Sequence, residues 1–283
     1  MAPTLRWGTQ TYVMGIVNVT PDSFSGDGLA TPSRDVDEIV AAALEQGRAM
    51  VAAGAEILDV GAESTRPRAA YGDHPEIDAE TERAIAVPVV RALVAELGEG
   101  VAVSIDTSKG DVAAAALDAG ASMVNDVWAA RRDPGTAEAA AAAGAHLVLM
   151  HNQESVGYPN GTFDTVVEWL GEAVRMAEAR GVPRDRLLVD PGIGFGKGTD
   201  DNLELLHRLA ELRQRLGGLP LLVGTSRKRF LGELLDGAEP TDRLEGTAAT
   251  VALAIAAGAD VVRVHDVAEI ARTRRVADAI IRR

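Results

Sequence analysis

The 283-residue chain has no cysteine, which excludes disulfides, thiolate metal sites and a cysteine nucleophile. It lacks a basic surplus: 28 Lys+Arg against 42 Asp+Glu leave a net charge of −14. A surface built to grip a nucleic acid backbone carries the opposite balance, so no nucleic acid partner is expected. No run approaches the roughly 18 uninterrupted apolar residues of a membrane span, and the Ala-rich stretch at Ala139–Ala143 is far too short. Met1–Gly8 does not join a basic segment to an apolar run, so no secretory signal is expected there. The default reading is a soluble cytoplasmic protein. No segment rich in Pro, Gly or Ser divides the chain, so residues 1–283 read as one domain.

What is there is an alternation. Eight short apolar runs, Tyr12–Val17, Glu56–Val60, Val101–Ile105, Ser122–Val127, His146–Met150, Leu187–Val189, Pro220–Val223 and Asp260–Val264, read as strands buried on both faces. Between them lie helical patterns, among them Val36–Ala53, Thr81–Leu97, Asp111–Ala119, Phe163–Arg180 and Leu203–Leu216. Helices stop at Gly54, Gly120, Gly144, Gly181 and Gly258, where glycine accepts the left-handed C-cap. Ala-Gly-Ala recurs before strands at Ala53–Ala55, Ala119–Ala121 and Ala257–Ala259. Eight strand–helix units predict a (β/α)₈ barrel, an α/β fold. An open doubly wound sheet is the alternative, but no G-x-G-x-x-G opens a helix. Thr4–Gln10 is expected to form a short hairpin plugging the barrel bottom.

A barrel of this kind carries its site where the strands end, and every run delivers a polar group there. The residues are Asn18, the Glu63–Arg66 stretch, Asp106-Thr107, Asn125-Asp126, His151, Asp190 to Lys197, Thr225 to Lys228, and Arg263 to Asp266. Loops meeting water explain one or two of these, but not Asn125 or Arg263 inside apolar runs, because a buried polar group costs several kcal/mol unless satisfied. Asp106, Asn125 and Asp190 suit a flat heterocycle with a donor-rich, guanidine-like edge. Asn18, Arg66, Arg263 and His265 suit a phosphate or diphosphate, and Asn18 could share one Mg²⁺ with phosphate oxygens. Ser226-Arg227-Lys228 opens a helix and could meet an anion. His146, His207 and His74 read as structural or solvated, His151 equally as structural, and the three tryptophans as packing, with Trp128 open. Ser226 has no visible His partner, so a Ser–His triad is not expected. No His/Asp/Glu spacing resembles a zinc site.

At these residues the chain resembles the dihydropteroate synthase family. The matching segments are MGIVNVTPDSFS at Met14–Ser25, DVGAESTRP at Asp59–Pro67, SIDT at Ser104–Thr107, VND at Val124–Asp126, DPGIGFGK at Asp190–Lys197, GTSRKRFLG at Gly224–Gly232 and RVHDV at Arg263–Val267. The resemblance implies a single pterin-binding (β/α)₈ barrel, usually a homodimer through late helices. It implies a Mg²⁺-assisted transferase of folate biosynthesis, the target of sulfonamides. That enzyme joins p-aminobenzoate to 6-hydroxymethyl-7,8-dihydropterin diphosphate, giving 7,8-dihydropteroate and diphosphate. It places the pterin at Asp106, Asn125, Met150, Asp190, Phe195, Gly224 and Lys228. It places the diphosphate at Asn18, Arg66, Arg263 and His265, with Mg²⁺ at Asn18, and p-aminobenzoate at Thr65, Pro67, Phe195, Ser226, Arg227 and Lys228. Arg66, Lys228, Arg263 and His265 would carry the catalysis. The chain departs from the family pattern at Gly26-Asp27, where the acidic residue is shifted by one, at Ala62, Arg68 and Arg229. The alternatives are a pterin-binding methyltransferase barrel acting on a corrinoid, and a non-catalytic relative that binds a pterin.

Overall fold

A computed structural model describes residues 5–20, 35–63, 76–153, 157–158 and 161–282. Eight strands form one parallel sheet: β1 (Tyr12–Asn18), β2 (Ile57–Gly61), β3 (Ala102–Asp106), β4 (Met123–Asp126), β5 (His146–Met150), β6 (Leu187–Asp190), β7 (Leu222–Val223) and β8 (Val261–Val264). Their order is β6-β5-β4-β3-β2-β1-β8-β7. A parallel bridge from Val189 to Leu221 joins the two ends, so the sheet closes into a barrel. The described helices are α1 (Val36–Ala53), α2 (Ala79–Leu97), α3 (Gly110–Asp118), α4 (Gly135–Ala143), α5 (Thr162–Ala179), α6 (Thr199–His207), α7 (Leu209–Arg215), α8 (Arg229–Leu234), α9 (Leu244–Ala256) and α10 (Val267–Ile281). The expected barrel is therefore the observed one.

Side chains alternate across each strand, and the two faces collect different partners. Val13, Val17, Leu58, Val60, Val103, Ile105, Val124, Leu147, Leu149, Val262 and Val264 point outward into one large core shared with the helices. Tyr12, Met14, Ile57, Ala102, Met123, Val148, Leu188, Leu222 and Val261 fill the lower interior as a second cluster. The glycine-ended helices share one joint. At Gly54, Gly120, Gly144, Gly181 and Gly258 φ is positive. In each, the glycine N–H and the next N–H turn back onto carbonyls of the last helical turn, as in Gly54 N to Val51 O and Ala55 N to Met50 O.

Two expectations need correction. The predicted hairpin over Thr4–Gln10 is not formed: the described residues 5–10 make a turn with no strand. Their N–H groups find side-chain acceptors instead of a second strand. Arg6 N donates to Tyr12 Oη at 2.7 Å, and Gly8 N to Asp260 Oδ1 at 2.7 Å. Leu5 and Trp7 still close the barrel bottom against the lower interior, with Trp7 edge-on to Tyr12 and His146. The helix read over Leu203–Leu216 is two, starting at Thr199 and interrupted at Arg208, whose φ is −105°. Arg208 lies 3.4 Å above the Phe163 ring of α5 and pairs with both Glu204 and Glu211, so its side chain holds the break in place.

Asp260 is fully buried and also accepts from Leu221 N at 3.1 Å. Asp260→Ala would strand two backbone donors, at a cost of roughly 3 kcal/mol. The melting temperature should fall by roughly 6–12 °C, with substrate affinity unchanged, because Asp260 sits at the opposite end from the polar rim. Thermal melting paired with ligand titration checks both halves.

Candidate active site

Above the apolar lower interior, the same inward alternation brings up polar residues. Met14 leads to Ile16 and Asn18, Ile57 to Asp59 and Gly61, and Ala102 to Ser104 and Asp106. In the same way Met123 leads to Asn125, Val148 to Met150, Leu188 to Asp190, Leu222 to Gly224, and Val261 to Arg263. The register sets several side by side: Gly61 pairs with Asp106 and Asp106 with Asn125, Met150 with Asp190, and Met14 with Arg263. Two-residue periodicity thus turns scattered strand-end residues into one inward-facing layer.

Arg263 organises this layer. Its Nε donates to Asp59 Oδ2 at 2.6 Å and its Nη2 to Asp106 Oδ2 at 2.9 Å. Asn125 Nδ2 donates to the same Asp59 oxygen at 2.9 Å. Asp59 and Asn125 are buried, and Asp106 nearly so. Two carboxyl groups face one cation here, so ionising both would leave a surplus negative charge out of water. Burial pushes the Asp106 carboxyl up to about 8; Arg263 opposes the rise and the Asp59 charge adds to it. Asp106 Oδ1 is buried with no hydrogen-bond partner among the described residues.

Across the mouth, the segment after β6 folds over itself. Asp190 Oδ1 accepts from Gly192 N at 2.7 Å. Burial raises its carboxyl, while Lys228, the Gly192 N–H and Lys197 pull it back. Gly192 has φ +68°, and a Cβ there would lie 1.9 Å from His151 O, so only glycine fits. Lys197 is buried, and its ammonium donates to Gly192 O at 2.9 Å and Phe195 O at 3.0 Å and meets His151 Nδ1 at 2.9 Å. Burial lowers Lys197 to about 7. Burial, with Lys197 alongside, drives His151 down to about 2, so His151 is a neutral strut. Phe195 packs on Val127, Trp128 and Met150, an apolar wall beside the carboxylates. Lys228 Nζ lies 4.8 Å from the Phe195 ring centroid and donates to Ile193 O.

On the β7–β8 side, Ser226 Oγ accepts from His265 N at 3.2 Å and meets His265 Nδ1 at 2.9 Å. The His partner that the sequence does not reveal for Ser226 is thus 39 residues away. Arg227 is bound bidentately by Asp266, at 3.1 and 2.6 Å.

A family model described as pterin binding enzyme matches residues 14–265. The chain belongs to the dihydropteroate synthase family. The dihydropteroate synthase of Bacillus subtilis is 43% identical over 277 residues, covering 98% of this chain and 91% of that protein. The solved dihydropteroate synthase of Clostridium difficile, determined in the presence of pteroic acid, superposes with a TM-score of 0.88 at 41% identity, over 99% of this chain and 100% of that one. The Xanthomonas albilineans dihydropteroate synthase with 4-aminobenzoic acid gives 0.85 at 40%, over 96% and 94%. The protein is accordingly a pterin-binding transferase.

Within this dihydropteroate synthase fold the expected residues divide. Asp106, Asn125, Met150, Asp190, Phe195, Gly224, Lys228 and Arg263 gather at the barrel mouth. Gly224 bridges two of them, since a Cβ on it would lie 3.7 Å from Arg263 Cβ and 3.8 Å from Lys228 Nζ. The head of Arg263 lies between Asp59 and Asp106. Asn18 ends β1, half-buried. Asp126 leaves the site, because it faces outward and accepts from Trp128 N, Ala130 N and Thr136 Oγ1 at 2.7–2.9 Å. Thr65, Arg66, Pro67 and Arg68, His74 and the Gly26-Asp27 pair lie outside the described residues. Asp59 joins the mouth residues from the middle of β2 rather than from a strand end. A charge inside the apolar run Ile57–Gly61 is the same signal that marks Asn125 and Arg263.

Proposed function

We propose that this barrel joins p-aminobenzoate to 6-hydroxymethyl-7,8-dihydropterin diphosphate, giving 7,8-dihydropteroate and diphosphate. The observation that carries the reading is the buried layer of Asp59, Asp106, Asn125, Asp190 and Arg263 beside the Met150–Phe195 wall. Its acceptors match the donor edge of a pterin, and its wall matches the ring face. In the reaction the methylene–oxygen bond to diphosphate breaks, and a bond from the aniline nitrogen forms. The amine proton leaves with solvent or diphosphate. Arg263, His265 and Arg66 stabilise the departing charge. Lys228, Phe195 and the turn Ser226-Arg227, which precedes α8 rather than opening it, hold the second substrate; Thr65 and Pro67, its other expected contacts, lie outside the described residues.

Among the described residues no group of three or more His, Asp or Glu gathers to hold a metal. Asn18 offers one neutral amide oxygen at the mouth, which fits a Mg²⁺ coordinated mainly by water and phosphate oxygens. Such an ion, when bound, offsets charge on the diphosphate. Mixing the two substrates and measuring diphosphate tests the reading: no release with either substrate saturating would sink it, and the methyltransferase and pterin-binding alternatives both predict none.

Proton release on pterin binding follows from the surplus carboxyl group. The pterin edge donates to the ionised form of Asp106, so binding expels the proton that burial holds there. Pterin affinity should therefore rise with pH toward about 8. The same raised carboxyl favours the folded free protein below the ordinary carboxylate range, and that stability fades as pH climbs through about 8. Calorimetry in buffers of different ionisation enthalpy reads the expelled proton, and its absence would refute the assignment of Asp106.

The homodimer reading is supported by an apolar groove of about 710 Å³ between α9 and α10, lined by Ala252, Ala256, Val276 and Ile280 among others. Leu253, Val276 and Ile280 are 68%, 64% and 63% exposed, too much apolar surface in one place for a face meeting only water. Sedimentation should find two chains at micromolar concentration and one for Val276→Glu.

A further inference from the structure

Lys197 is a buried cation that substrate recognition leaves unused. No carboxylate bonds to its ammonium among the described residues; its partners are Gly192 O at 2.9 Å, Phe195 O at 3.0 Å and His151 Nδ1 at 2.9 Å. A buried ammonium without an ion-pair partner costs several kcal/mol, so stability alone would favour an apolar side chain here. The ammonium instead closes a turn. Gly192 O also accepts from Phe195 N at 3.0 Å, so both ends of the turn over residues 192–195 converge on Nζ. The backbone wraps it closely, since a Cβ on Gly192 would lie 3.2 Å from Nζ. Phe195, at the end of that turn, is half-buried and forms the wall with Val127, Trp128 and Met150. The anchor on the other side is fixed: His151 follows β5, is fully buried and lies edge-on to Trp169 of α5, with ring centroids 4.9 Å apart. A line of contacts thus runs from α5 through His151 and Lys197 to the backbone that carries the Phe195 ring.

We propose that Lys197 is a positioning residue for the pterin, holding the turn over residues 192–195 so that the Phe195 ring meets the flat face of the heterocycle. The inference rests on the pterin-binding reading above. A lysine that only stabilised the fold would act on binding independently of the Phe195 ring, whereas a positioning lysine acts through it. A double-mutant cycle separates the two, read by calorimetry as the affinity for 6-hydroxymethylpterin, which lacks the diphosphate. Lys197→Met and Phe195→Ala are each expected to weaken binding about tenfold, and the double variant should lie within threefold of Phe195→Ala, where independent effects would multiply to about a hundredfold. A folded Lys197→Met that binds within threefold of the parent overturns the inference, as does a double variant that binds threefold or more below Phe195→Ala. Where Lys197→Met melts below the assay temperature, Lys197→Gln takes its place under the same limits, since its two amide N–H groups cannot serve three acceptors. A parent that does not bind the pterin removes the reading of the site, and the inference with it.

Discussion

Arg263→Ala should lower diphosphate release several hundredfold and destabilise the protein at the same time. The guanidinium ties Asp59 to Asp106 across the barrel mouth. Removing it leaves two carboxylates facing each other away from water, and breaking such a pair costs about 3–5 kcal/mol. Loss of a donor aimed at developing charge costs on the order of 10²–10³ in rate. Arg263→Lys should recover little, because one ammonium cannot present the two parallel edges that Asp59 and Asp106 use. Steady-state diphosphate release and thermal melting measure the two effects separately, and turnover within threefold of the parent would remove Arg263 from the mechanism.

Asp59→Ala is expected to be nearly as damaging, although Asp59 pairs in register with Ser104, one inward position below Asp106. Its single oxygen Oδ2 receives both Asn125 Nδ2 and Arg263 Nε, so the alanine variant releases two recognition side chains at once. The Arg263 Nε–H and the Asn125 amide, buried without an acceptor while Asp106 still balances the guanidinium charge, should cost about 2–4 kcal/mol and lower the melting temperature by roughly 4–16 °C. Pterin affinity should fall at least tenfold, because Asn125 and Arg263 lose the orientation that preorganised them. Asp59→Asn keeps the shape and one acceptor, and should lie between parent and alanine on both scales. Unchanged pterin affinity in a folded Asp59→Ala would mean that Asn125 and Arg263 hold their places without it.

The barrel was legible because its strands are buried on both faces and therefore spell continuous apolar runs, and because five helices end in a glycine that forms the same joint. The break at Arg208 was not legible, since its cause is a ring on α5 some forty residues earlier. The site was legible at the strand ends, where Asn125, Asp190 and Arg263 stand out against apolar neighbours. It was illegible wherever a partner is distant: Asp59 and Arg263 are 204 residues apart, and Lys197 is 46 from His151. Period two also separates what adjacency joins. Asn125 and Asp126 look like one motif, yet one faces the interior and the other caps a turn outside it.

The pairing of β1 with β8 has a consequence for synthesis. The first strand made is completed by the last, and Asp59 waits for a cation that leaves the ribosome about two hundred residues later. Until then the nascent chain presents an open parallel edge and an unmatched carboxylate, a state prone to non-native association. The contact between Arg263 and Asp59 thus marks completion of the fold: a chain that has formed it has brought its last strand to its first.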